Sequence, residues 1–314
     1  MRAACQFLGL LLLCVTIVGC GEKNTKTIGI SVQTMTNPFF IVIAETVEAE
    51  AAKHGYKVLV RDGENDVANQ EKQVREFINQ GVAAIILCPR DTLAIGEVIR
   101  EANKAGIPVF TIDTACEDKN AKVVFHVGTD NLQGGEIAGK AMIDALGEAG
   151  GKVAVLELKK VDSCKLRVEG FTKAINEHNK TAANIIDIKM NLECEGDAEK
   201  GESVARDAMN NFGDLRGIFA INDPSAMGAY RAVEAESKTK QITVIGFDGM
   251  PEGKTGVKKG FLFDTPTQFP DTMSVECVKA IMMYFDGEEI KSPRMLIKTA
   301  PYRLEDAEKD PMFK

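Results

Sequence analysis

The chain has 314 residues, enough for one large or two medium domains, and its 45% hydrophobic content is that of an ordinary globular protein. Lys and Arg number 38 against 46 Asp and Glu, a formal net charge of −8. That balance carries no electrostatic footprint for nucleic acid, whose phosphates call for clustered basic side chains.

At the N-terminus Arg2 precedes FLGLLLLCVTIV, an apolar run of secretory length that is short for a membrane span. Residues 1–19 are therefore expected to be an export signal. Val18–Cys20 reads VGC and is followed by the polar GEKNTK, which resembles the bacterial lipobox; Cys20 would then be the lipidated first residue and 20–26 a tether. An ordinary signal cut nearby, with Cys20 incidental, is the plainer alternative. The expected location is outside the cytoplasm, in the periplasm or at the cell surface, held by lipid. Cys5 and Cys14 leave with the signal, so Cys88, Cys116, Cys164, Cys194 and Cys277 remain, and an odd number leaves at least one thiol unpaired. His54, His126 and His178 are scattered and no CxxC occurs, so neither a metal nor a cofactor is expected.

From residue 27 one rhythm dominates. Short β-branched runs (TIGISV, KVLVR, AAIILC, PVFTI) alternate with amphipathic segments such as NQEKQVREFINQG and LAIGEVIREANKAG, the pattern of a parallel sheet with crossover helices. After VVFHVG and NLQGGEIAGKAMIDALGEAGG the rhythm restarts with KVAVLEL, ANIIDIKM, GIFAI and ITVIGF, so two α/β halves of similar size are predicted. The glycines of GGEIAG suit close helix packing better than phosphate binding.

In open α/β sheets ligands bind beyond the carboxyl ends of the strands, so the residues just after each strand matter most. The first such turn is TMTNPFF, Thr34 to Phe40, with Pro38 suited to a first helical turn. A lone Asn or Asp at such a turn is more often a helix cap. Together, however, the turns offer carboxylates (Asp113, Asp248), amides (Asn37, Asn222), a guanidinium (Arg167) and aromatic faces (Phe39, Phe40, Phe247). A hydroxyl both donates and accepts, and a sugar ring has an apolar face that aromatics cover, so the set suits a polyhydroxylated molecule.

TNPFF, IPVFTID, VGTDNLQGGEIAG, RVEGF, AINDPSAMGAYRAV, VIGFDGMPEG and PTQFPD fall in the order and spacing of the ribose-binding group. Over roughly residues 26–300 the chain resembles periplasmic sugar-binding proteins of ABC transporters. The resemblance implies the type I periplasmic binding protein fold: α/β, two doubly wound parallel-sheet lobes joined by a three-strand hinge, with the ligand in the cleft. It implies an N-terminal lobe of 27–128 plus 269–297 and a C-terminal lobe of 129–268 plus 298–314, with crossings near 128–130, 265–268 and 297–299. Ligand contacts are implied for Asn37, Phe39, Phe40 and Asp113 in the first lobe and for Arg167, Asn222, Phe247 and Asp248 in the second. Gln268 is implied in a crossing. The expected function is capture of a ribose-like monosaccharide or polyol by lobe closure and delivery to an ABC permease, by a monomer without enzymatic activity.

The sequence departs from the group's pattern where Thr114 follows Asp113, where Lys165 replaces a second arginine, and where NLECEGD lacks an aromatic. Cys164 and Cys194 follow consecutive strands of the second half and are candidates for a disulfide, with free thiols as the alternative. Two other functions compete. A sensor lipoprotein would present its ligand to a chemoreceptor or histidine kinase, and an enzyme would use Asp113 with Asp248 as acid and base. A DNA-binding repressor with this core is excluded by the export signal and the early first strand.

Overall fold

The computed structural model describes residues 26–314. The expected export signal, the lipidation site Cys20 and most of the tether lie outside the described residues. Among those described, no helix is long and apolar enough to cross a membrane.

The first sheet contains β1 (Thr27–Val32), β2 (Lys57–Asp62), β3 (Ala84–Leu87), β4 (Val109–Ile112), β5 (Phe125–Thr129) and β10 (Arg294–Ile297), all parallel, in the order β10-β5-β4-β3-β1-β2. Helices α1 (Pro38–Lys53), α2 (Val67–Gln80) and α3 (Gly96–Lys104) form its crossovers, and α9 (Pro270–Phe285) returns to pack on α1, β4 and β5. Both faces of this sheet are covered, which is why β1, β3, β4 and β5 are buried at every position and read as continuous apolar runs.

The second sheet is also wholly parallel, in the order β7-β6-β8-β9: β6 (Gly151–Glu157), β7 (Ile186–Glu193), β8 (Leu215–Ala220) and β9 (Thr243–Ile245). Around it lie α4 (Asn131–Leu146), α5 (Asp162–Asn179), α6 (Ala198–Asn211), α7 (Asp223–Ala235), α8 (Pro251–Lys258) and α10 (Leu304–Lys309). Its core is separate from the two that flank the first sheet. The strand order reverses between β1 and β3 in one sheet and between β6 and β8 in the other. Each reversal opens a crevice at the carboxyl ends of the strands.

The GGEIAG glycines hold α4 tightly on α5. A Cβ built on Gly135 would lie 2.1 Å from the carbonyl oxygen of Arg167, and one on Gly170 2.1 Å from that of Leu132. Both obstacles are backbone, so neither position has room for a methyl group.

Three strands of chain pass between the sheets and are bonded to one another. Asp130 N–H donates to the Ile297 carbonyl (2.8 Å) and Thr267 N–H to the Ala300 carbonyl (2.8 Å), while Gln268 N–H ties its crossing to the turn after β9 at the Asp248 carbonyl (2.9 Å). The Gln133 amide spans from α4 to Thr299, donating to its carbonyl at 3.2 Å and accepting from its N–H at 3.0 Å.

Candidate ligand-binding cleft

A cavity of about 340 Å³ lies between the two sets of strand ends, walled by residues of both sheets' loops. Asn37, Phe39, Phe40, Asp113, Arg167, Asn222, Asp248 and Gln268 all line it.

Local chemistry explains each placement. Asn37 is the N-cap of α1, its Oδ1 accepting from Phe39 N–H at 3.0 Å, with Pro38 opening the helix. The cap uses the side-chain oxygen of a residue that also lines the cavity. Phe39 and Phe40 meet edge to face at 5.2 Å, and both are also part of the core beneath α1. Asn222 caps α7 through Oδ1, which accepts from Ser225 N–H at 3.0 Å, while its Nδ2 donates to the Gly196 carbonyl at 2.8 Å.

Arg167 is 4% exposed and is the only cation among the buried side chains of the described residues. Its Nε donates to Asn131 Oδ1 (2.8 Å), and its Nη1 to the Ile221 carbonyl (2.7 Å) and Asp248 Oδ1 (3.1 Å). One face of the guanidinium lies 4.0 Å from the Phe247 ring centroid. Gln268 donates to the same Asp248 oxygen at 2.6 Å and accepts from Thr129 Oγ1 at 2.6 Å, tying the carboxylate to the end of β5. Burial pushes the Asp248 carboxyl up to about 6 despite Arg167 beside it. Behind it, Asp223 accepts from Met250 N–H (2.8 Å) and Thr265 Oγ1 (2.6 Å), and burial with the neighbouring Asp248 charge raises its carboxyl well above the usual range.

Asp113 follows β4 with φ 64°, and Asp248 has φ 113°, both in the region that disfavours side chains with a Cβ. Asp113 Oδ2 accepts from Thr114 Oγ1 (3.0 Å) and Cys88 Sγ (3.5 Å). Its Oδ1 is buried and has no partner. Such an orphan costs on the order of 1–3 kcal/mol, more for a charged group, until a donor reaches it.

The cleft is closed. Arg90 Nη2 donates to the Glu195 carbonyl (3.2 Å), Thr92 N–H to the Lys160 carbonyl (3.1 Å), and Thr114 Oγ1 and Ser163 Oγ share a hydrogen bond of 3.1 Å. Each joins a loop of the first sheet to a loop of the second.

The model for a periplasmic binding protein domain matches residues 28–289. The chain belongs to the periplasmic binding protein family. This binding protein is 35% identical over 286 residues to the ribose import binding protein RbsB of Bacillus subtilis, covering 91% of this chain and 88% of that one. It is 31% identical over 275 residues to RbsB of Escherichia coli, covering 88% and 90%. Among solved structures, an ABC transporter periplasmic solute binding protein from Actinobacillus succinogenes with bound D-allose superposes with a TM-score of 0.82 at 27% identity, covering 91% of this chain and all (100%) of that one. The likeness to the ribose-binding group and the type I periplasmic binding protein fold read from the sequence are both borne out.

Two expectations about side chains need correction. Phe247 is fully buried and does not line the cavity; its ring face is taken by the Arg167 guanidinium, so it supports that group instead of a ligand. No disulfide joins Cys164 and Cys194, which are both free and buried. Cys164 faces the cavity from the first turn of α5, whereas Cys194 is turned towards the Ser225 hydroxyl. Burial pushes their thiols up to about 12 and about 11, which keeps both protonated and unreactive.

Several cavity residues were not singled out from the sequence: Gln33, Thr36, Arg90, Ser163, Glu195 and Glu252. Arg90 and Glu195 lie in the post-strand turns CPRDT and NLECEGD, so their position was a signal, though not their side chains. Asn131 was missed because it acts at one remove, through Arg167. His126 is not a catalytic base: it is buried in β5, bonded to Thr111 Oγ1 at 2.9 Å, and pushed down to about 3 by burial and by Arg294. Among the described residues no three His, Cys, Asp or Glu side chains are grouped to hold a metal.

Proposed function

We propose that this protein binds a monosaccharide or polyol between its lobes and delivers it to an ABC permease, without transforming it. The observation that carries the reading is the cavity itself: donors and acceptors from both sheets converge there beside Phe39 and Phe40. Residues 27–128 with 269–297 act as one lobe, and 129–268 with 298–314 as the other. Closure is driven by the ligand's preference for the closed state, since an empty closed cleft leaves Asp113 Oδ1 unpaired. The names of the relatives, ribose import and allose binding, support a monosaccharide-like cargo and a permease as partner.

The protein works as an exported monomer, anchored through lipid on Cys20; two or more acyl chains hold firmly where one would not. Cys20→Ser should move it from the detergent phase to the aqueous phase in Triton X-114 partition. Cargo is tested by thermal shift against pentoses, hexoses, deoxysugars and polyols. A ligand at 100 times its Kd adds about 2.7 kcal/mol, roughly a 4 degree rise for a chain of this length. No rise with any of them removes the sugar reading.

A further inference from the structure

The cavity is short of positive charge. Asp113 and Asp248 face its interior against the single guanidinium of Arg167, and that guanidinium is already engaged by Asn131, Ile221, Asp248 and the Phe247 ring. At the rim Glu195, Asp197, Glu199 and Glu252 outnumber Arg90. Part of that rim charge is spoken for, since Glu195 pairs with Lys200 and Asp197 caps α6. The interior imbalance is not, because Asp113 is 5% exposed and its Oδ1 has no donor. Thr114 and Cys88 supply the other oxygen with neutral donors only.

We propose that the cargo is a monosaccharide or polyol carrying a protonated amine, with the ammonium seated on Asp113 Oδ1. The proposal rests on the sugar-binding reading above and narrows it. A hydroxyl would satisfy Asp113 with one hydrogen bond. An ammonium supplies a charge-assisted bond and favours the charged form of a carboxyl that burial pushes up and that Arg167, bonded to Asp248, reaches only through space. The acidic rim adds attraction at the mouth of a cleft with low-dielectric walls, which raises the local concentration of a cation.

The test is isothermal titration calorimetry of the full-length protein in detergent with D-glucosamine, D-galactosamine and D-mannosamine. Each is paired with its parent hexose and its N-acetyl derivative, which keeps the bulk and removes the charge. At least one amine should bind about tenfold or more tighter than both neutral partners. In Asp113→Asn the ratio should fall towards one. A parent sugar binding as tightly as its amine, or a preference that survives in Asp113→Asn, overturns the proposal and leaves sugar binding intact. Silence from every sugar here, with a neutral ligand found in the thermal-shift panel, overturns this proposal and leaves sugar binding intact, whereas silence in both overturns the two together.

Discussion

Thr92 closes the cleft through Lys160: its N–H donates to the Lys160 carbonyl at 3.1 Å and its hydroxyl to the same oxygen at 3.2 Å. The Thr92 hydroxyl also accepts from Asp162 N–H at 2.9 Å. These bonds touch no cavity residue's functional group, and they exist only when the lobes meet. Thr92→Val removes the hydroxyl and keeps the shape and the amide bond. At about 1 kcal/mol for each bond lost, ligand affinity should fall roughly five- to thirtyfold. Stopped-flow fluorescence should place the loss in faster ligand release, with association and the ligand-free melting temperature unchanged.

Arg167 lines the cavity and also holds a buried ion pair with Asp248. Its removal leaves Asp248 buried without its cation, a change that costs on the order of 3–5 kcal/mol when a buried pair is broken. Arg167→Ala should therefore abolish binding and lower the urea midpoint as well. Unaltered affinity in a folded variant would place the ligand elsewhere. Arg167→Lys keeps the charge but not the planar fork, and should recover stability better than binding.

Four buried carboxyls, Asp113, Asp223, Asp248 and Asp264, are raised by burial and give the fold an unusual pH response. Asp248 and Asp264 are each pushed up to about 6, mainly by burial. An unfolded Asp titrates near 3.9, so the folded chain holds more protons between about pH 4 and 6, and stability falls as pH rises through that window. Asp310 has the opposite sign: bonded to Met312 N–H, Tyr302 and Lys254, it is held down at about 2, and its contribution is lost as pH falls from about 4 through 2. Thermal melts of the ligand-free protein should peak near pH 4 to 5. In Asp264→Asn the decline towards pH 7 should be shallower.

Gly135→Ala tests the route from helix packing to the site. The added methyl would meet the Arg167 carbonyl, which cannot move without carrying α5 with it. Overpacking of this kind costs about 1–3 kcal/mol or more. The melting temperature should drop, and sugar affinity should drop further than the same destabilisation causes in a Gly260→Ala control, where nothing lies within 4 Å of the added atom.

The alternation of β-branched runs with amphipathic segments was enough to read both parallel sheets, because strands buried on two faces leave continuous apolar signatures. β10 was not legible: Arg294, Met295 and Leu296 are exposed, so the strand forms through backbone pairing with β5 and has no burial pattern to betray it. At the site, turns after strands pointed to Asn37, Asp113, Asn222 and Asp248, all of which line the cavity. What they could not show was depth. Phe247 and Asp248 are adjacent in sequence, yet the carboxylate reaches the cavity while the ring goes under Arg167. The pairing suggested for Cys164 and Cys194 failed for the same reason, since neighbouring loops do not fix where side chains point.

The bonds among the three crossings have a mechanical meaning. Asp130 to Ile297, Thr267 to Ala300 and Gln133 to Thr299 lie side by side like the knuckles of a door hinge. Sliding or twisting one lobe past the other would shear all of them at once, whereas bending about their common line strains each only slightly. On the proposed lobe closure, opening should then follow chiefly a single angular coordinate. A pair of fluorophores on the two lobes would then give one distance for each degree of occupancy, so the protein could serve as a calibrated gauge of its own cargo.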